Sequence, residues 1–134
     1  MLTLEQVLKI RKRSFTDEIG IEFTKLENGS AEGNIMLEKR HLNYYGSAHG
    51  GCIFSLMDSV AGLAALSNGS YVTTAGGNVH YINAAIGTRF IRAAAKPVKI
   101  GNTLLVYDVE VLDDANKLIA KGSFTFVRFG EIKE

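Results

Sequence analysis

The run from Cys52 to Leu66, CIFSLMDSVAGLAAL, is broken only by Ser55, Asp58, Ser59 and Gly62. A helix this apolar must be covered round most of its circumference. The rest of the chain therefore has to supply a wrapping, and its patterns suit one. The segment IGIEFTKLENGSAEGNIML reads as two strands joined at Asn28-Gly29, a dipeptide that fits a tight hairpin turn. After the helix, predicted from about His49 to Leu66, the chain is rich in strand patterns: YVTTAGGNVHYIN, RFIRAAAK, TLLVYDVEVLD and KLIAKGSFTFVRF. Leu105, Tyr107, Val109 and Val111 alternate with Val106, Asp108 and Glu110, as in a half-buried antiparallel strand. Asp113 to Asn116 makes the turn into the last strand. Thr3 with Gln6 forms a capping-box pattern, and Leu4, Val7, Leu8 and Ile10 keep helical spacing, which predicts a short helix over residues 3–13. A curved antiparallel sheet round one long helix gives an α+β fold, expected as a single domain over residues 1–134. Its sheet edges and remaining apolar surface would invite self-association.

Composition narrows the function classes. Of 134 residues, 46% are hydrophobic and 22% charged with one Pro, which is a globular and not a disordered composition. A net charge of +1, with both signs interspersed, argues against a nucleic-acid binder working through bulk positive field. Cys52, the single cysteine, leaves no internal disulfide and suits a reducing compartment. The start, MLTLEQVLKIRKR, lacks the uninterrupted apolar core of a signal peptide, and no segment has 18 uncharged apolar residues. The expected location is the cytoplasm. There is no P-loop and no dinucleotide fingerprint. His41, His49 and His80 match no metal-ligand spacing, so no metal or other cofactor is expected.

The chemistry concentrates in NYYGSAHGGCIFSLMD, Asn43 to Asp58. Gly50 and Gly51 fall at the first turn of the long helix, where backbone N–H groups lack intrahelical partners and the dipole is positive. Without Cβ atoms they would let a ligand oxygen approach, making an oxyanion hole for acyl transfer. The alternative is that the pair merely permits tight packing of loop on helix. Asp58 is a lone carboxylate in an apolar run. Such a group is either satisfied by a hydroxyl such as Ser55 or Ser59, or it is a base or nucleophile. Beside the glycine entrance, the second reading gains. Gly50 and Asp58 are eight residues apart, about 12 Å along a helix at ~1.5 Å per residue. That is too far to serve one carbonyl, since a base must lie within about 3 Å of its water. Two antiparallel helices, one per subunit, would bring Gly50 of one near Asp58 of the other, giving two shared sites per dimer. His49 would orient the loop or simply cap. Cys52 three residues on raises a Cys–His pair, against which its apolar flank argues for an inert core thiol. Lys39, Arg40, Arg89, Arg92, Lys96 and Lys99 either gather round a phosphate-bearing ligand or form a solvated face. Arg89 is the one assigned to substrate. Tyr44, Tyr45, Phe54 and Met57, with Gly51, are candidate pocket walls, with core filling as the alternative for the apolar ones.

The pattern Asn43-x-x-Gly46-x-x-His49-Gly50-Gly51, with Asp58 seven residues later, resembles the hot-dog-fold thioesterases. It is most like the phenylacetate-pathway (PaaI-like) and mammalian thioesterase superfamily member 2 type. The resemblance spans roughly residues 17–129 and includes GNVHYINAA, the glycine of KIGNTL and KLIAKGSFTFV. It implies a helix wrapped by a sheet, a homodimer with one continuous sheet, pairing of dimers into a homotetramer, and hydrolysis of acyl-CoA without metal or cofactor. It further implies that the Gly50 N–H and Asn43 side chain polarise the thioester carbonyl. Asp58 of the facing subunit would activate water or attack directly, Thr74 would help place that water, and His49 would support Asn43 and the loop. Two departures stand out. Asn83-Ala84-Ala85 replaces an Arg-Pro-Ala or Ser-Pro-Ala pattern, and Gly76-Gly77 stands where bulkier residues are common, which would widen or loosen the acyl pocket. Competing readings are a hot-dog dehydratase or hydratase with His49 as base, and a non-catalytic acyl-CoA binding module.

Overall fold

A computed structural model describes residues 1–133. Helix α3 (Gly50–Leu66) runs through the centre, as its composition demands. Ile53, Leu56, Met57, Val60, Ala61, Leu63, Ala64 and Ala65 are all buried along it. Six strands cover that surface: β1 (Ile21–Glu27), β2 (Ser30–Met36), β3 (Ser70–Tyr81), β4 (Phe90–Ile100), β5 (Leu104–Asp113) and β6 (Leu118–Glu131). They form one sheet in the order β1-β2-β4-β5-β6-β3, with every pairing antiparallel. This is the hot-dog arrangement. No described helix is long and apolar enough to cross a membrane.

Local chemistry accounts for the elements. Asn28 and Gly29 both have positive φ, 53° and 78°, which sets a two-residue turn whose twist matches the flanking strands. Leu105, Tyr107, Val109 and Val111 of β5 are fully buried against α3, as their alternation predicts. Ala93 and Ala95 of β4 and Ala31 of β2 are small where the sheet approaches the helix. The N-terminal helix α1 (Leu4–Ile10) carries the predicted Thr3–Gln6 capping box but stops short of residue 13. Arg11 leaves the helix in an extended conformation, stacks over the Phe23 ring at 5.1 Å and pairs with Asp17 at 3.2 Å. That interaction turns the chain into a second helix, α2 (Phe15–Glu18), which the sequence reading lacked.

The two outer strands differ in kind. β1 carries Glu22, Lys25 and Glu27, charges that discourage edge-to-edge pairing. β3 is twelve residues long, contains no Asp, Glu, Lys, Arg or Pro, and is exposed from Thr73 to Asn78. A β-bulge between Thr74 and Gly76 bends it where it passes α3.

Candidate active site

The loop entering α3 is built round Asn43. Its Oδ1 accepts from the Tyr45 N–H (3.0 Å) and the Ser47 N–H (3.1 Å), and its Nδ2 donates to Ser47 Oγ (2.9 Å). Gly46, at φ +87°, supplies the reversal that closes this turn. The Ala48 N–H donates to the Ala85 carbonyl (3.0 Å), and Ser47 bridges Ile86, so the loop is fastened to the segment after β3. Asn43 and Gly50 thereby line one cavity of about 290 Å³, together with Ile53, Tyr81 and Asn83.

His49 is the N-cap of α3, and its Nδ1 accepts from the Gly51 N–H at 2.8 Å. The ring therefore holds the helix start and the end of the loop, while the hydrogen bonds of the Asn43 side chain go to Tyr45 and Ser47 and not to His49. It also removes Gly51 as a free donor. The Gly50 N–H is different. As the first helical residue it has no intrahelical acceptor, and no other acceptor meets it among the described residues.

Asp58 stands two turns further on, with Oδ1 accepting from Thr74 Oγ1 at 2.8 Å. Burial pushes its carboxyl above the ordinary carboxylate range, and the Thr74 hydroxyl only partly offsets this. Thr74, not its neighbour Thr73, is the hydroxyl that meets the acid. Asp58 does not line the cavity at Gly50. Within one protomer the two groups are not brought together.

The other expected contacts divide sharply. Phe54 packs edge-on against Phe124 with ring centroids 5.1 Å apart, beside the Asp58 flank. Met57 is fully buried on α3, so it fills core within the protomer and does not line the cavity at Gly50. Tyr44 and Tyr45 lie ring against ring, centroids 4.4 Å apart and planes tilted by 43°, and are 90% and 75% exposed, outside the cavity. Arg89 is held by Asp114 through its backbone N–H (3.0 Å) and Nε (3.3 Å), away from the cavity. Burial raises the Cys52 thiol pKa, against a smaller opposing effect of Arg40, which fits an inert thiol. Of the two glycines expected to widen or loosen the acyl pocket, Gly77 leaves no open space: a Cβ there would lie 2.5 Å from Phe124 Cε2 and 3.0 Å from Phe54 Cζ. Those two rings already fill the space the missing side chain leaves.

Sequence reasoning missed Tyr81. The hydroxyl of this last residue of β3 donates to the Gly50 carbonyl at 2.8 Å. It missed His41 as well, a buried ring whose Nδ1 accepts from the Glu38 N–H and whose Nε2 lies 2.7 Å from the Ile19 carbonyl oxygen. The Tyr81–Gly50 and His41–Ile19 contacts join segments far apart in the chain, and no local pattern announces them.

A wrapped central helix, a free N–H at its first residue and a carboxylate set into its flank match what the resemblance to the hot-dog thioesterases implies. Comparison with known proteins agrees. Residues 45–120 match the family model described as the thioesterase superfamily, and the chain belongs to that family. A candidate esterase from Archaeoglobus fulgidus is 36% identical over 107 residues, which is 80% of this chain and 70% of that one. Acyl-coenzyme A thioesterase PaaI of Escherichia coli is 26% identical over 102 residues, 76% of this chain and 73% of that protein. Among solved structures, smu.793 of Streptococcus mutans UA159, bound to acetyl CoA, is 30% identical with a TM-score of 0.83, covering 92% of this chain and 98% of that one. The E. coli PaaI structure shares the fold at a TM-score of 0.83 and 24% identity over 88% of this chain and 86% of that one.

Proposed function

We propose that the protein hydrolyses acyl-CoA thioesters at sites shared between two subunits. The observation that supports this most directly is the glycine at position 50. A Cβ there would meet Tyr81 no closer than 3.4 Å, an ordinary contact, so packing within the protomer does not demand a glycine. Glycine in a helix costs about 0.5–1 kcal/mol relative to alanine. Its use beside an unpartnered N–H, on the wall of a cavity, is explained by a ligand oxygen that needs the room. The acetyl CoA held by the Streptococcus mutans relative supports an acyl-CoA as that ligand.

In this reading the thioester oxygen lies against the Gly50 N–H and Asn43 Nδ2, at the positive end of α3. Asp58 of the facing subunit takes a proton from water as the water oxygen bonds to the carbonyl carbon. Collapse of the tetrahedral intermediate breaks the C–S bond, and the proton taken up by Asp58 passes to the departing CoA thiolate to give the thiol. Thr74 fixes the carboxylate through its 2.8 Å hydrogen bond. The uncharged, exposed β3 edge supports a two-fold dimer with β3 beside its mate, and such dimers would pair into a homotetramer. A single catalytic domain in the cytoplasm completes the reading. His49 as the base of a dehydratase is disfavoured, because its Nδ1 already accepts from Gly51.

Thiol release from a panel of aryl and medium-chain acyl-CoAs tests the assignment. Hydrolysis by the wild type and its loss in Asp58→Asn is the expected result. Intact hydrolysis in Asp58→Asn, with loss in His49→Ala, overturns the assignment of Asp58 as base and His49 as cap. Single-turnover hydrolysis in ¹⁸O water separates activation of water from direct attack, since only direct attack leaves the label on Asp58.

A further inference from the structure

We infer that Tyr81 is a positioning residue that holds the Gly50 donor in register for the thioester carbonyl, an inference that rests on the hydrolase reading above. Two consecutive glycines open α3, and nothing in their own backbone preference keeps a first helical turn in place. The described structure gives this turn two external ties. One is the His49 ring on the Gly51 N–H at 2.8 Å. The other is the Tyr81 hydroxyl, which donates to the Gly50 carbonyl at 2.8 Å. The second tie is long-range: it fastens the end of β3 to the beginning of α3 across 31 residues of chain.

The consequence for the donor follows from peptide geometry. The Gly50 carbonyl belongs to the peptide after Cα50, and the Gly50 N–H to the peptide before it. With one plane anchored by Tyr81 and the helix ladder, and His49 anchored as N-cap, the rotation left to the N–H between them is small. The Tyr81 ring also stands beside Gly50 on the wall of the same cavity, so it limits where a carbonyl can rest. Partial burial raises the phenol pKa above its usual value, so the hydroxyl keeps its proton and remains a donor at neutral and mildly alkaline pH. A reacting group displaced by about 1 Å can cost 10²-fold in rate. A loosened donor that still samples its place costs less, so a loss of roughly tenfold is the expected scale.

The test compares wild type with Tyr81→Phe, which keeps the ring and removes only the hydroxyl. Two readouts are taken: kcat and KM for acyl-CoA hydrolysis, and amide hydrogen exchange over Gly50 to Phe54. The expected result is a kcat lower by about tenfold with KM within about twofold, faster exchange in that segment alone and an unchanged melting temperature. Wild-type kcat with wild-type exchange overturns the inference. So does a uniform loss of stability, which would make Tyr81 merely structural. If the wild type cleaves no acyl-CoA, the hydrolase reading fails and takes the positioning role of Tyr81 in catalysis with it. The exchange data still report whether the tie itself exists.

Discussion

The Thr74 hydroxyl donates to Asp58 Oδ1 at 2.8 Å, joining an exposed edge strand to the flank of an otherwise buried helix. The bond spans 16 residues of chain and lies beside the β-bulge at Thr74–Gly76. A carboxylate so placed is costly to ionise. Two measurable effects follow from it.

Replacing Asp58 with Asn should lower kcat by about 10²–10⁴-fold, the range for loss of a general base. The same change should raise the melting temperature at neutral pH. Burial holds the folded-state pKa of Asp58 above its unfolded value, so ionisation opposes folding. The destabilising contribution is fully present above the raised folded pKa and disappears as pH falls toward the unfolded value. Melting curves of wild type and Asp58→Asn should therefore converge on acidification. Parallel curves at every pH would show that Asp58 carries no such penalty.

The pH dependence of kcat/KM should have its acid limb above the ordinary Asp value of about 3.9. If Asp58 acts as the proposed base, its ionised form is the active one, and the rate rises with pH through the raised pKa and then levels. A limb at or below the ordinary value would remove Asp58 from the role of base.

Gly50→Ala separates packing from access. The added methyl fits beside Tyr81, so thermal stability should hold or rise by up to about 1 kcal/mol. Hydrolysis should fall on the order of 10²-fold, because the methyl displaces the approaching carbonyl. Equal activity in Gly50→Ala would leave the glycine without a functional explanation.

The adjacent glycines of β3 should behave oppositely. A Cβ on Gly77 meets the fully buried Phe124 ring at 2.5 Å, so Gly77→Ala should destabilise by about 1–3 kcal/mol through overpacking. A Cβ on Gly76 meets nothing within 4 Å. Gly76→Lys should therefore fold, place a charge on the open edge, and shift the protein to monomer by light scattering with hydrolysis lost. A Gly76→Lys dimer with full activity would rule out β3 as the pairing edge.

Much of the architecture was legible because each element carried its own local cause. The Thr3 capping box, the Asn28-Gly29 turn, the alternation of β5 and the apolar run of α3 each predicted what the structure contains. Helix α2 was not legible, because the Arg11–Asp17 pair and the Phe23 ring that organise it come together only on folding. The site was legible in outline for the same reason: a glycine pair at a helix start and a lone acid in an apolar run are local oddities. For Met57 the sequence left pocket wall and core filling both open, because within so apolar a helix it does not say which face is covered; within the protomer the side chain is buried in the core. Tyr81 and Gly77 were missed or misjudged because their meaning lies in contacts with α3 and β6.

The charge-free edge of β3 has a further cost during synthesis. β3 leaves the ribosome before β4, β5 and β6, yet among the described residues β6 is the only strand of its own chain that pairs with it. Until β6 arrives, both sides of a twelve-residue uncharged strand lie open to neighbouring nascent chains on the same message. Synthesis is therefore an interval in which this strand is open to misassembly, and slower or cooler expression should give the larger soluble fraction.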